Sequence, residues 1–409
     1  MKKKIIGVIA LLIAGIIYFV FYHTRNTYTT VPLDADAIIL IDAKKVKRQY
    51  ISDLLTHPSA WFKKGPENSA FLNDSGIVIP DFFQFFHLKN SSLTEWYSIF
   101  DLKDQQQFLK FLQSQKFKKL SGNVFRKDHT FIMVYDNLCI AGTSKIGLES
   151  IHKQVFKLSQ KNILDAASLV DKGIGSIIFN DGKSSYNLYI DLNSDEMEFR
   201  TNSNFYDSEP IIAKLLKTKS FLETELDSEN MRLLSSVFPF KNLGDAKVDY
   251  LKANADLQQV NDTIITYEYD DNFNEIEKNT VRKIVQPAYV VSLHSSDPEK
   301  TAQYFQDKKW INAQRQFVVI PFQPNVIEKK KNDFEIRSTG KSIQPSVRMN
   351  ENYIFITNNE LLYSHLKSFT LREKKIISDI DYIFYGHKDQ DYYVKLKFKE
   401  SELPLLLRW

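Results

Sequence analysis

An uncharged apolar run, residues 5–22, constrains this chain more than any other stretch. It passes from Ile5 through Leu11, Leu12, Ile16 and Ile17 to Tyr22, and Lys2, Lys3 and Lys4 precede it. As a helix it would span roughly 27 Å at ~1.5 Å per residue, close to the roughly 30 Å hydrocarbon core of a bilayer. The expectation is a transmembrane signal anchor. The three lysines before the run, with Asp34 and Asp36 after it, orient the N-terminus to the cytoplasm. Tyr18, Phe19, Phe21 and Tyr22 fall at the outer end, the headgroup level that amphipathic rings favour. A cleaved signal peptide needs small residues just past the apolar core, and His23-Thr24-Arg25-Asn26 stands there instead. The expected division is a cytoplasmic stub (1–4), the anchor (5–22), a polar stalk (23–30) and an exported body.

That body has ordinary core-forming composition, with 43% hydrophobic and 25% charged residues over the 409-residue chain. The formal net charge of +4 is small and its cations are scattered, so nucleic acid is excluded as a partner. Phe, Tyr and Trp make up 13%, which suits pleated, half-buried surfaces and predicts a strand-rich core. Cys139 is the single cysteine, so no internal disulfide forms. An exported body without disulfides points to a bacterial envelope rather than a eukaryotic ectodomain. The inner membrane, with the C-terminal body in the periplasm, is the expected place.

Along the body, apolar spacing predicts a helix from Ala43 to about Thr56, with Val46, Tyr50, Ile51, Leu54 and Leu55 on one face. Lys44, Lys45, Lys47 and Arg48 crowd its first turns, the wrong sign for a helix N-terminus. A solvated face or a patch on anionic headgroups would account for them. Asp104 is read as the cap of a helix carrying Phe108 and Leu112, and Ser208-Glu209-Pro210 as the opening of another. Ala253–Val260 and Thr263–Tyr269 read as a hairpin across Asn261-Asp262, followed by a helix through Phe273, Ile276 and Ile284.

Three blocks recur in the same order. Tyr97 leads to Asp104 with Phe111 and Leu112 after it, as Tyr289 leads to Asp297 with Tyr304 and Phe305. Asp136–Thr143 resembles Glu351–Asn358, and Ile178–Lys183 before the Tyr186 strand resembles Ile383–Lys388 before the Tyr392 strand. The fold class expected is therefore α+β: an N-terminal transmembrane helix, then two similar units of antiparallel sheet with packed helices, 31–205 and 206–409, the second a duplicate of the first. Insertions are expected around Lys308 to Arg348, with Glu328-Lys329-Lys330-Lys331-Asn332 as a solvated loop.

Chemical motifs are missing. Gly182-Lys183-Ser184 and Gly340-Lys341-Ser342 lack the glycine five residues earlier that a phosphate-binding loop needs. Asp191, Asn193 and Asp195 have the opening spacing of a calcium loop, but Glu196 replaces its glycine and Asn202 its bidentate glutamate. Asp270 and Asp271 with Asn274 and Glu275 read as a solvated acidic turn. No two histidines share a metal-ligand spacing, and Asp128-His129 would need a distant serine to make a triad. No catalytic residue, cofactor or metal site is assigned. Phe82, Phe83, Phe85 and Phe86 form the one candidate patch for lipid or a partner.

With Lys2 to Tyr22, Pro32-Leu-Asp-Ala-Asp-Ala-Ile-Ile-Leu-Ile-Asp42 and the recurring blocks, the chain resembles uncharacterised single-anchor envelope proteins of Gram-negative bacteria. The resemblance implies a repeated α+β ectodomain and no activity or functional residue. The expected function is a membrane-anchored, non-enzymatic binding or scaffold protein, touching the bilayer through its leader and an envelope protein or polymer through its body. A membrane-tethered hydrolase of an envelope polymer is the alternative.

Overall fold

The computed structural model describes residues 28–61, 75–156, 161–180, 185–201, 207–218, 220–235, 243–269, 273–320, 325–363 and 369–408. They divide into two compact units, with the boundary between Asn202 and Ser203 and with Ser401 onward returning to the first.

The first unit holds β1 (Tyr28–Pro32), β2 (Ala35–Asp42), β3 (Phe82–Leu88), β4 (Trp96–Asp101), β5 (Lys118–Ser121), β6 (Val124–Lys127), β7 (Thr130–Tyr135), β8 (Leu138–Gly142), β9 (Lys161–Asp165), β10 (Gly175–Asn180), β11 (Ser185–Leu192) and β12 (Glu196–Arg200). β1 pairs with β9 as a separate ribbon. The others form one antiparallel sheet in the order β12-β11-β10-β2-β3-β4-β8-β7-β6-β5. The second unit holds β13 (Leu222–Asp227), β14 (Val248–Tyr269), β15 (Glu275–Ser295), β16 (Asn325–Lys330), β17 (Asp333–Ser338), β18 (Asn352–Thr357), β19 (Ile380–Lys388) and β20 (Asp391–Phe398). Its antiparallel order is β20-β19-β18-β13-β14-β15-β17-β16.

The two orders trace the same path. β2 and β13 lie inside their sheets, each bonded on both edges. Each is followed by two strands on one side, then by a hairpin that docks beside the second of these, and later by three strands on the other side. β5 and β6 extend the first sheet beyond this common set. The Tyr97 and Tyr289 blocks fall on matching strands, β4 and β15. The other two pairs of blocks do not: Leu138 opens β8 and Asn352 opens β18, and the β10–β11 hairpin is set against β19–β20, one strand further on. Short strand–turn–strand patterns recur in every hairpin, so they align out of step.

Of the described residues 47% are strand and 24% helix, and the longest helix, Ala43–Thr56, has 14 residues. The expected α+β class led by a transmembrane helix is therefore corrected to a fold built mainly of antiparallel sheet. Long-range backbone pairing, not helix packing, organises both units. Among the described residues no helix is long and apolar enough to cross a membrane. Ile5, Leu11, Leu12, Ile16, Ile17 and Tyr22 lie outside the described residues.

Two helices attach where an inner strand ends in aspartate. Asp42 caps Ala43–Thr56, its Oδ1 accepting from Lys44 and Lys45 N–H, both at 2.8 Å. Asp227 ends β13 and caps Ser228–Leu233 in the same way, accepting from Asn230 N–H at 2.8 Å. Asp104 and Asp297 cap the helices Gln105–Ser114 and Pro298–Asp307. The capping carboxylate of Asp42 offsets the lysines that crowd the first turn of its helix. Those lysines are bound to the body: Lys44 pairs with Asp81 at 3.2 Å, and Lys45 Nζ donates to Val170 O, Asp171 O and Gly173 O at 2.6–3.1 Å. None of this helix is buried, so the expected apolar face does not enter a core.

Two other readings change. β14 runs unbroken through Asn261-Asp262, and Ile276 and Ile284 lie on β15 rather than on a helix. The unbroken ladder to β15 holds the turn-forming dipeptide extended, and within it Asp262 faces Arg282 and pairs with it at 3.6 Å. Glu328–Asn332 is not a loop but the end of β16 and its turn into β17, with Lys331 at φ 53°.

The first core centres on Leu40, Phe86, Tyr97, Leu148 and Ile151. Tyr97 lies against two glycines: a Cβ on Gly142 would come within 2.4 Å of its Cδ1, and one on Gly147 within 2.6 Å of its hydroxyl. The Tyr97 hydroxyl also accepts Gly147 N–H at 3.1 Å. Gly142→Ala is expected to cost about 1–3 kcal/mol by overpacking. Gly244→Ala, with nothing within 4 Å, should stay within about 0.5 kcal/mol. Urea denaturation midpoints of the two variants check this.

Candidate functional site

Strand alternation separates the four phenylalanines. Phe82 and Phe86 point into the first core with Gln84, while Phe83 and Phe85 occupy the opposite face. Phe83 meets Phe100 edge-on at 6.5 Å, and Phe85 is 38% exposed. The four therefore do not face one surface.

The fold does assemble a carboxylate, an imidazole and a hydroxyl. Asp36 Oδ1 lies 2.6 Å from His87 Nδ1, and Ser91 Oγ lies 3.1 Å from His87 Nε2. The order of atoms is that of an acyl-transfer triad, and no spacing in the sequence announces it. Its hydrogen bonds deny that use. Ser91 Oγ donates to Leu88 O at 2.7 Å, and His87 Nε2 faces Ser92 O at 2.9 Å. A carbonyl only accepts, so Nε2 acts there as a donor, and a donor cannot take the serine's proton. The set clamps the turn between β3 and β4, with the Trp96 ring tilted against the imidazole at 5.7 Å.

A cavity of about 360 Å³ in the first unit is lined by Ser121, Tyr135, Lys145, Glu149 and His152. Lys145 Nζ donates to Ser121 Oγ at 3.5 Å, and Tyr135 meets His152 edge-on at 4.2 Å. Both partners of the Ser–Lys pair are exposed. Activating a serine through lysine needs a desolvated amine at shorter range. A second cavity, about 350 Å³, is lined by Lys45, Asp171, Asp191 and Arg200. Asp191 pairs with Arg200 at 2.6 Å, so the carboxylate that opened the calcium-like spacing is engaged across the β11–β12 hairpin. Among the described residues no group of three or more His, Cys, Asp or Glu side chains could hold a metal ion. Cys139 is buried, and burial pushes its thiol up to about 12, far from a reactive thiolate.

In the second unit, Glu225 is fully buried and receives Lys252 Nζ at 3.0 Å, Met349 N–H at 2.9 Å and Asn350 N–H at 2.5 Å. Lys252 also donates to Val347 O at 2.8 Å, and Arg348 stacks on the Tyr250 ring at 3.7 Å. This network straps residues 346–350 across the sheet. Burial alone would raise the Glu225 carboxyl, but the bonds from Met349 and Lys252 outweigh it and hold the group below its ordinary 4.5. Every oxygen is engaged, so the cluster braces the sheet instead of presenting a reactive acid.

What remains open is an arm. Pairing with β13 ends at Ala255, and pairing with β17 ends at Val290. Beyond these points β14 and β15 continue as a two-stranded ribbon to Tyr269 and Glu275, about 45 Å at ~3.3 Å per residue. Among the described residues no third strand pairs with it. Asp270 and Asp271, which connect the strands, lie outside the described residues. A bare two-stranded ribbon is marginal in water, yet this one exposes Tyr267 by 62%, Tyr269 by 63% and Val281 by 63%. Its signal in the sequence is the β-branched run Thr263-Ile264-Ile265-Thr266 facing Thr280-Val281. The Asn261-Asp262 turn signal concealed it. No protein-family model, curated protein or solved structure matches the chain.

Lys252→Met should cost about 3–5 kcal/mol, because it strands a buried carboxylate. Glu225 has a lowered value in the fold, so its contribution is present above pH 4.5 and is lost as pH falls through the folded-state value. Denaturation midpoints between neutral pH and pH 3 (an acid limit of about one unit below the ordinary carboxyl range) should fall for the native chain. The Glu225→Gln variant should lack that component.

Proposed function

We propose that this chain is a non-enzymatic binding or scaffold protein of a bacterial envelope, exported and held at a lipid bilayer through its apolar leader, residues 5–22. One observation carries the binding role: the outer β14–β15 arm exposes the large side chains of Ile265, Tyr267, Tyr269, Ile276 and Val281, and no third strand among the described residues pairs with it there. Such surface gains stability when a partner buries it. The common strand order of the two units supports reading the second as a duplicate of the first, with the arm as the part elaborated on it. The apolar leader, the single cysteine and the small net charge support the compartment.

The hydrolase alternative draws on the Asp36–His87–Ser91 geometry. If it held, Ser91→Ala would abolish hydrolysis of p-nitrophenyl esters or peptidoglycan fragments. The reading proposed here expects any such rate to be unchanged from buffer in both the native chain and the variant.

A photo-crosslinking residue at Tyr267 or Tyr269, introduced in expressing cells, tests the binding role. A discrete cross-linked species is expected, absent when the same residue replaces exposed Ile146. Cross-linking no greater at the arm than at that control would remove the basis of the proposal.

A further inference from the structure

The two faces of the arm differ in charge. Side chains opposite one another in the ladder share a face, so Ile265, Tyr267 and Tyr269 stand with Asn279, Glu277 and Glu275. The other face carries Asp262, Glu268, Lys278 and Arg282, and these neutralise one another: Lys278 pairs with Glu268 at 2.7 Å and Arg282 with Asp262 at 3.6 Å. On the tyrosine face the outer half carries carboxylates only. Tyr269 donates to Glu275 at 3.1 Å, which fixes an acid beside an exposed ring. The nearest cation on that face is Lys283, opposite Asn261, about 20 Å back from Glu277 along the strand at ~3.3 Å per residue.

We infer that the Tyr267–Tyr269–Glu275–Glu277 face is a docking strip for a cationic polypeptide segment of a partner protein. This rests on the binding role proposed above and adds the chemistry of the partner. Exposed tyrosine rings attract Lys or Arg heads, and carboxylates beside them supply the counter-charge. The sign of the strip disfavours anionic lipid headgroups and nucleic-acid phosphates. A second copy laid face to face would set carboxylate against carboxylate. Same-face positions recur about every 7 Å along a strand, the period at which an extended segment presents alternate side chains. Lys or Arg at every second residue therefore matches the strip.

The test uses the full chain and two fluorescein-labelled heptapeptides, one alternating Lys with Val and the other Glu with Val, followed by anisotropy. The chain's formal charge is +4, so an unspecific Coulombic pull would favour the acidic peptide. The cationic peptide is expected to bind at least about tenfold more tightly than the acidic one. Glu275→Lys with Glu277→Lys should reverse that order, and Tyr267→Ser with Tyr269→Ser should weaken the cationic peptide about tenfold. Glu268→Gln with Lys278→Gln, on the other face, should leave it unchanged. Circular dichroism of each variant establishes that the sheet is intact. Equal binding of both peptides, binding of neither, or no effect of the charge reversal overturns the inference. A dimer that the charge reversal dissolves would name a second copy as the occupant and overturn it too. If cross-linking from Tyr267 persists in the charge-reversed chain, the arm still binds but not through cations. If cross-linking is absent from the outset, the binding role itself fails.

Discussion

Both units depend on one strand whose backbone is hydrogen-bonded on both edges. In the second unit it is β13, held between β14 and β18. In the first it is β2, held between β3 and β10. Each ends in an aspartate that stops the ladder and starts a helix. A strand paired on both edges has satisfied nearly all its backbone groups, so any shift of register costs bonds on two sides. The remaining strands are placed outward from it, and the helices cover what those strands leave apolar.

This arrangement explains why the second unit tolerates so much buried polarity. Glu225 and Lys252 face each other across the β13–β14 ladder, and the strap 346–350 supplies the other hydrogen bonds. A buried ion pair is seldom a gain over an apolar pair of equal size; with the Asn254–Ser346 hydrogen bond and the Arg348–Tyr250 stack, it fixes where the strap crosses the sheet. Glu223, on the same face and fully buried, has no hydrogen-bond partner for either oxygen among the described residues. The outer part of the arm, beyond Asn261 and Lys283, is the opposite case, with a complete ladder and no buried residue. Its ladder and its ion pairs, Lys278 with Glu268 and Arg282 with Asp262, leave Tyr267 and Val281 exposed.

The sites that resemble active centres do so because a sheet brings distant polar side chains close together. Asp36 and His87 are on adjacent strands, and Ser91 lies in the turn that follows. Geometry of that kind supports catalysis only when the base is free to accept a proton and the nucleophile is not committed elsewhere. Here local carbonyls occupy both groups, and the same bonds that make the cluster look catalytic make it a turn clamp.

Local features were legible in the sequence by itself. Asp104 and Asp297 cap helices within three residues of themselves, and the helix over Ala43–Thr56 follows from its own spacing and the break at Pro58. The buried character of Cys139 follows from its apolar neighbours. Composition determined that strands would be abundant. The tertiary structure alone decided the strand order, the matching of β2 with β13, and which face of β3 meets the core, so that Phe82 and Phe86 are buried and Phe85 is exposed. It alone carried β14 through Asn261-Asp262, where the continuous ladder to β15 holds extended a dipeptide that favours turns. The physical reason is range. A cap or a helical face is settled by residues one turn apart, whereas a ladder is settled by backbone groups that meet across tens of residues. A two-residue period says which face a side chain occupies but not which strand lies beside it.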